Sequence, residues 1–599
     1  MALDRLLSSG RVLAPLLPPG GARAAVLSVP DVARPYVVAA LANLGHGRPV
    51  VAVTPTQADA EHLAHDVAAY LGRQAVATFP AWETLPFERV SPAVETMGRR
   101  LEAVWRLRHD PPKVLVAAVR ALVQRLGPHV EDAEPVLVRP GERVDLDELL
   151  GRLVRMGYRR EHQVEHRGEV AVRGSIVDVY PSTGDVPVRI DLWGDEVERL
   201  TAFDVADQRS KDDLAEVCIF GARELVPTEE VRARAKELIA AEPWGREQWE
   251  RLSEGLLFEG MESWLPWLTQ EPGSGVAQHV LPDLLPDDSL VLLFEPGRLR
   301  DRAAEVLDEE QALAASLATT WGVPGGDLPR LHLSFERLLA HTTAPAWTIT
   351  SVPTPGAAEV TAFHATAWEP VAGDPDAVTR HVQRLLADRY RIVVAADGAG
   401  SAARLARSLA DAGIIAPLRR PDDPALDVPG VSVVVEPLDR GVVLADLKLA
   451  ILAEPDLTGR RRAHRKARTR PRATEGFFDA LEPGDHVVHH HHGVGRYKGM
   501  VRRALMGGPE RDYLLIEYRD GSLHLPSDQI DLVRPYSGGE QPSLNRMGGT
   551  DWSKTKARVR SAAREIAQEL VVLYQRRLQS HGFAFGPDTP WQHLSLIHI

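Results

Sequence analysis

The residues in this chain whose types and spacing could do chemistry are few and scattered. Four consecutive histidines, His489 to His492, with His486 just before them, have donor atoms suited to a divalent metal. Adjacent residues on a strand point to opposite faces, so at most alternate histidines could share one ion. Exposed strand histidines are therefore expected, and no metal is assigned. The acidic string Asp195-Glu196-Val197-Glu198 lies in a hairpin turn, away from the carboxyl end of any parallel strand, and reads as a solvated turn. Cys218 is the only cysteine and has no local signature of a nucleophile. No GxSxG elbow or HExxH pair occurs, and no catalytic constellation is assigned.

A nucleotide-driven motor needs a Gly-rich loop whose backbone N–H groups cradle phosphate, followed by Lys and Ser or Thr. No Gly-Lys pair occurs in the 599 residues. The loop after the first apolar run reads SVPDVARPY, with no Gly and no Lys, and Pro35 removes a backbone donor there. The chain is accordingly expected to hold no cofactor.

The elements that would position such residues follow from composition and rhythm. A chain of this length predicts several folding units. With 44% hydrophobic and 26% charged residues it is an ordinary globular protein. The net charge of −13 opposes a surface coated in nucleic acid, so any basic patch must be local. One cysteine cannot close an internal disulfide, which points to a reducing, cytoplasmic setting. The longest apolar stretches, such as VLVAAVRALV, are broken by Arg120, so no membrane span is expected.

The fold class expected is multidomain α/β. Residues 1–142 alternate apolar runs with helical text and form the first part of a parallel α/β domain. Residues 143–226 turn to strands and form a small inserted α+β domain. In VPVRIDLWGDEVERLTAFD, Val186, Val188, Ile190 and Leu192 fall on one face, and Arg189, Asp191 and Trp193 on the other, with Gly194-Asp195 as the turn. Residues 227–345 are Trp- and Leu-rich, carry the strand-like Val291–Pro296, and resume the first domain. Residues 360–458 form a second α/β domain, and 459–474 a linker with eight Lys or Arg and no acid between Arg460 and Arg472. Short strands with the turn signal Asp520-Gly521 make 475–545 a small β-barrel. Residues 546–592 read as a long amphipathic helix with eight Lys or Arg against three acids between Arg546 and Arg577.

At this point the text resembles a known family. GYRREHQVEHRGEVAVRGSIVDVYP and the hairpin after it resemble the UvrA-binding domain shared by UvrB and the bacterial transcription-repair coupling factors. WETLPFERVSP, GDHVVHHHHGVGRYKGM and GFAFGPDTPWQ resemble the coupling factors in particular, since UvrB has no such barrel. The resemblance runs from Leu6 to Gln592. It implies a UvrB-like, RecA-type first module with a degenerate nucleotide site, and an SH3-like (CarD-like) barrel that grips the β subunit of RNA polymerase.

By motif position the resemblance implies UvrA contacts at Arg160, Arg173, Tyr180, Arg189 and Asp191, while another arginine position of UvrB holds Ala171 here. For polymerase it implies an exposed strand edge after Gly499. The candidates are Tyr497, Val501, Arg502, Arg503 and Leu505. Arg460, Arg461, Arg462, Arg465 and Lys466 are the candidate DNA contacts, a solvated tether being the competing reading. The family's motor would begin after Gln592, and His593–Ile599 depart from the family text, so a chain cut before the motor is expected. ATP, Mg²⁺ and most binding of double-stranded DNA then belong to the full-length parent, an ATP-dependent translocase. This chain is expected to be catalytically inactive, monomeric and cytoplasmic. A UvrB-type excision subunit binding ATP and damaged DNA is the alternative, against which the missing Gly-Lys pair and the barrel both count.

Overall fold

The computed structural model describes residues 3–11, 22–45, 48–85, 90–269, 279–321, 328–351, 360–368, 375–458, 483–489, 492–503, 511–526, 533–536 and 542–547, with Trp552, Lys554, Thr555, Arg558 and Val559. Two compact units are present. The first comprises Met1–Glu475 with Arg502–Arg511, the second Gly476–Val501 with Asp512–Ile599. Among the described residues no helix is long and apolar enough to cross a membrane.

In the first unit the near-continuous Val, Leu and Ala runs become strands, of which Val50–Thr54, Val114–Ala118 and Leu290–Phe294 are buried along their whole length, as inner parallel strands require. They form a seven-stranded sheet in the order Val360–Ala362, Ala24–Ser28, Ala346–Thr350, Leu290–Phe294, Val50–Thr54, Val114–Ala118, Val76–Phe79. Every pairing in it is parallel. Leu290–Phe294 lies at the centre, so the module does resume after the insert. The boundary expected at 345 is corrected: Ala346–Thr350 and Val360–Ala362 are strands of this same sheet, and the second α/β domain starts after them. A three-residue edge strand carries too little pattern for a sequence to show which sheet it joins.

Helix Gln57–Leu71, whose N-cap Thr56 side chain accepts a hydrogen bond from Asp59 N, packs with Arg34–Leu44 into one core. Helix Val94–His109 contributes Leu101, Val104 and Leu107 to another. Between the insert and the strand at 290, helices Glu229–Ala241, Arg246–Ser253 and the turn-rich segment through Leu268 gather Trp249, Trp264 and Trp267 into one buried cluster, with ring centroids 4.9–5.9 Å apart.

The insert is a six-stranded sheet in the order Ser210–Asp213, Glu196–Phe203, Val188–Trp193, Ile176–Val179, Glu169–Arg173, Arg159–Arg160. Helix Leu146–Arg155, capped by Asp145, lays Leu149, Leu150 and Leu153 on its apolar face against Val170, Val177, Val179, Val188 and Ile190. Val136–Val138 pairs with Val217–Ile219 where the chain enters and leaves, so the insert begins before the expected 143. The hairpin periodicity holds from Val188 to Trp193, but Val186 is 46% exposed because the strand starts after it.

The second α/β domain has the sheet order Ala365–Ala367, Val442–Leu444, Leu449–Ala453, Arg391–Ala396, Gly430–Val435. The last three strands are parallel and the first two are added antiparallel.

The second unit holds a five-stranded sheet in the order Gly521–Pro526, Arg511–Tyr518, Gly493–Arg503, His486–His489, Val533–Pro535. Its hairpin turns at Arg519-Asp520, since Tyr518 pairs with Gly521. Gly493 has φ +76, and a Cβ there would lie 2.6 Å from Asn545 Oδ1. The basic linker at 459–474, nearly all of the helix expected at 546–592, and the tail at 593–599 lie outside the described residues.

Two consecutive charges at the exit of the insert tie three parts of the first unit together. The Glu224 carboxylate accepts from Arg100 Nε at 2.7 Å and from Trp82 Nε1 at 2.9 Å. Arg223 donates to Glu262 at 2.6 Å and to the Ser91 hydroxyl at 3.0 Å. All of Arg100, Arg223, Glu224 and Glu262 are buried. Glu224→Gln leaves the Arg100 guanidinium buried without its counter-charge, and is expected to destabilise the first unit by about 3–5 kcal/mol. Hydrogen exchange along Val94–His109 checks this; protection equal to wild type would refute it.

Candidate functional site

The strand register of the insert brings the residues of its outer face into two rungs. Ala171, Asp178, Arg189 and Thr201 are Cα partners across four strands; Arg173, Ile176, Asp191 and Arg199 form the next rung. Period-two alternation turns all of these away from the apolar core. Asp178, 1% exposed, is the anchor. It accepts from Arg189 Nε at 2.7 Å and Nη2 at 3.0 Å, and from Arg173 Nη2 at 2.7 Å. Arg189 also donates from Nη1 to Gln208 O at 3.2 Å and stacks over Phe203 at 5.0 Å. Burial pushes the Asp191 carboxyl above its ordinary range, with Arg189 opposing and Asp178 reinforcing the shift.

Arg173, Arg189 and Asp191, named from the sequence, thus lie together. Tyr180 is on the same face but buried; its hydroxyl donates to Asp185 O at 3.1 Å, and Arg167 covers its ring at 5.2 Å. Arg160 is not brought to them. It lies on the edge strand in register with Val170, on the other side of the pleat from Ala171, and is exposed. Ala171 packs with Val164, Tyr180 and Phe203. Two further residues of this face were not named from the sequence. Asp178 is a single acid inside the apolar run IVDVYP, and nothing local marks it. Trp193 is 78% exposed on the Asp191 face, and its outward position in the hairpin was the available signal.

In the second unit the expected edge lies on the strand Gly493–Arg503. That strand is the central one of five, flanked by its neighbours in sequence, His486–His489 and Arg511–Tyr518. His489 pairs with Gly493, and Tyr497 N donates to Asp485 O at 2.8 Å, so only the half past Tyr497 outruns that neighbour. Tyr497 is buried, Val501 half-buried and Arg502 exposed; the Arg503 side chain and Leu505 lie outside the described residues. The histidines are corrected. His489 and His492 are buried, with rings stacked at 4.7 Å and His492 N donating to His489 Nδ1 at 3.2 Å. His490, His491 and Arg460, Arg461, Arg462, Arg465 and Lys466 lie outside the described residues.

The carboxyl edge of the seven-stranded sheet, where an α/β fold of this kind would bind phosphate, carries an internal ion cluster. Arg34 at the start of its helix pairs with Glu295, lies 2.9 Å from Asp31, and donates to Ser351 Oγ at 2.8 Å. These residues follow the ends of three adjacent strands. Asp195, Glu196 and Glu198 are exposed, as read. Burial pushes the Cys218 thiol up to about 11, which disfavours the thiolate. His65, Asp66 and Asp439 converge closely enough to hold an ion, but Asp66 accepts from Asp439 N at 2.8 Å, a contact that joins the two α/β domains.

Burial alone would raise the Glu295 pKa, but hydrogen bonds from Ser351 and the Arg34 charge outweigh it and hold the carboxyl below its ordinary value. A depressed carboxylate stabilises above the unfolded pKa and loses that contribution as pH falls through the folded one. The stability gap between wild type and Glu295→Gln should therefore be full at neutral pH and shrink below about pH 4.5. Parallel urea titrations check this; a gap independent of pH would refute it.

Comparison with known proteins agrees with this geometry. Residues 136–225 match the family described as the UvrB interaction domain, and residues 481–537 the CarD-like/TRCF RID domain. The Mycobacterium bovis transcription-repair-coupling factor is 36% identical over 94% of this chain and 48% of its own length. Those of Bacillus subtilis and Staphylococcus haemolyticus are each 29% identical, over 94% and 90% of this chain and 49% and 48% of their own lengths. The chain thus spans about half the length of these curated relatives. Across nearly its whole length, it is homologous to the amino-terminal half of the transcription-repair-coupling factors.

Proposed function

We propose that this chain is the recruiting half of a transcription-repair coupling factor, bringing RNA polymerase stalled at a DNA lesion together with UvrA to start nucleotide excision repair. The observation that carries this is the presence in one chain of a UvrB interaction domain and a CarD-like/TRCF RID domain. The insert offers UvrA the face of Arg173, Arg189, Asp191 and Trp193. Asp178 fixes the two guanidiniums before a partner arrives, which lowers the ordering cost of binding. Arg173, 47% exposed, remains accessible to a carboxylate of the partner, and exposed Trp193 is an aromatic anchor of the kind that dominates interfaces.

The second unit, read as an SH3-like barrel, engages the polymerase β subunit through the half-strand past Tyr497, by strand addition. In the full-length protein a motor using ATP and Mg²⁺ translocates on double-stranded DNA and displaces the polymerase. The ion cluster around Arg34 supports assigning no such role to the first module. The basic linker supplies local DNA contact, and the chain acts as a cytoplasmic monomer.

Arg173→Ala, Arg189→Ala and Trp193→Ala should each weaken UvrA binding by about 1 kcal/mol or more, roughly fivefold, while polymerase binding stays unchanged. Calorimetric titration with UvrA checks this, and three variants binding as wild type would remove the assigned face.

A further inference from the structure

The first unit contains a cavity of about 510 Å³ that the partner-binding surfaces do not use. Its polar wall is Arg125, Arg330, His332, Ser334 and Arg337, and Trp267 lies on its apolar side. Arg125 follows the short helix Val119–Val123 and is held by its backbone, whose N–H donates to Leu331 O at 2.9 Å. The residue is 6% exposed, and Nε and Nη1 are buried with no hydrogen-bond partner among the described residues. Buried guanidinium donors left unmatched cost several kcal/mol in general, so such a group is a place where a counter-ion belongs.

The nearby acids are already engaged. Glu310 accepts from the backbone N–H groups of Leu331 and His332 and lies 3.0 Å from His332 Nδ1. Glu242, also on the wall, accepts from Trp244 Nε1 at 2.6 Å. Burial lowers the Arg125 pKa, with Glu310 opposing and Arg337 reinforcing the shift, so the cation sits in a field that an anion would relieve. His332 is buried and its pKa is lowered by that burial, which keeps the ring neutral at pH 7. Arg330 and Arg337 are exposed at the rim.

We propose that this cavity binds a small phosphorylated anion, with Arg125 as the buried phosphate group ligand and Arg330 and Arg337 closing over it from the rim. Three guanidiniums match an oxyanion of more than one charge, because each presents a planar fork of donors to phosphate oxygens. The volume lies within the range of small-ligand sites, and Trp267 and Leu328 give an organic moiety an apolar wall.

The test is calorimetric titration of the full chain with inorganic pyrophosphate at fixed ionic strength. Saturable binding at one site is expected. Arg330→Ala and Arg337→Ala, exposed and therefore tolerated by the fold, should each weaken it about fivefold or more; Arg125→Met should weaken it about tenfold or more. Arg173→Ala should leave it unchanged. No saturable binding by folded wild type overturns the proposal. So does equal affinity in the Arg330→Ala/Arg337→Ala double variant, which decides the question even where Arg125→Met does not fold.

Discussion

The placement of the partner-binding insert depends on two neighbouring buried charges that point in different directions. Arg223 reaches Glu262 beside the Trp cluster, and Glu224 reaches Arg100 on the helix behind the parallel sheet. Two ion pairs in one stretch of backbone fix rotation as well as position, where apolar contacts alone would tolerate sliding. The backbone is shaped around them: Gly157 has φ +93, and a Cβ there would stand 2.8 Å from Arg223 Cβ and Cγ. With Val136–Val138 paired to Val217–Ile219, both ends of the insert are held, and its outer face keeps a defined orientation within the first unit.

The same physics with a different degree of burial makes the binding face. Asp178 is fully buried, but Arg189 is only partly so and Arg173 is half exposed. A pair of this kind stabilises less than a buried one because water screens the exposed partner. What it supplies is order, since two long side chains that would each sample many rotamers are held over one carboxylate. Preorganisation has a limit: Arg189 spends three donors on Asp178 and Gln208, so a partner finds it less available than Arg173.

Legibility in the sequence followed the range of the interactions. The hairpin from Val188 to Phe203 and the parallel strands were readable because one face or both faces of a strand write a short-period pattern into consecutive residues. Arg173, Arg189 and Asp191 came from motif position, and alternation alone put Arg189 and Asp191 on one face. Asp178 was invisible because its role is set by register across three strands, which no local window contains. The strand after Gly499 is central in its sheet, and its stretch past Tyr497 outruns His486–His489. His489 and His492 were expected to be exposed because polar residues on short strands usually are; instead they bury each other by stacking, a contact made across a turn.

A chain with net charge −13 can bind acidic partners only where its cations are left uncompensated. The first unit sorts its arginines accordingly. Arg34 stands at the sheet edge where phosphate would bind in an active nucleotide fold, but Glu295, Asp31 and Ser351 already supply its oxygens. Arg100 and Arg223 are neutralised in the core and act as struts. Arg173 shares its acid with Arg189 and keeps exposed surface. Arg125 is buried with two donors, Nε and Nη1, unmatched among the described residues, while Glu310 is bound to backbone amides and a histidine. Counting arginines would assign all of them to one basic class. The carboxylates around each one decide whether it braces the fold, meets a protein or waits for an anion.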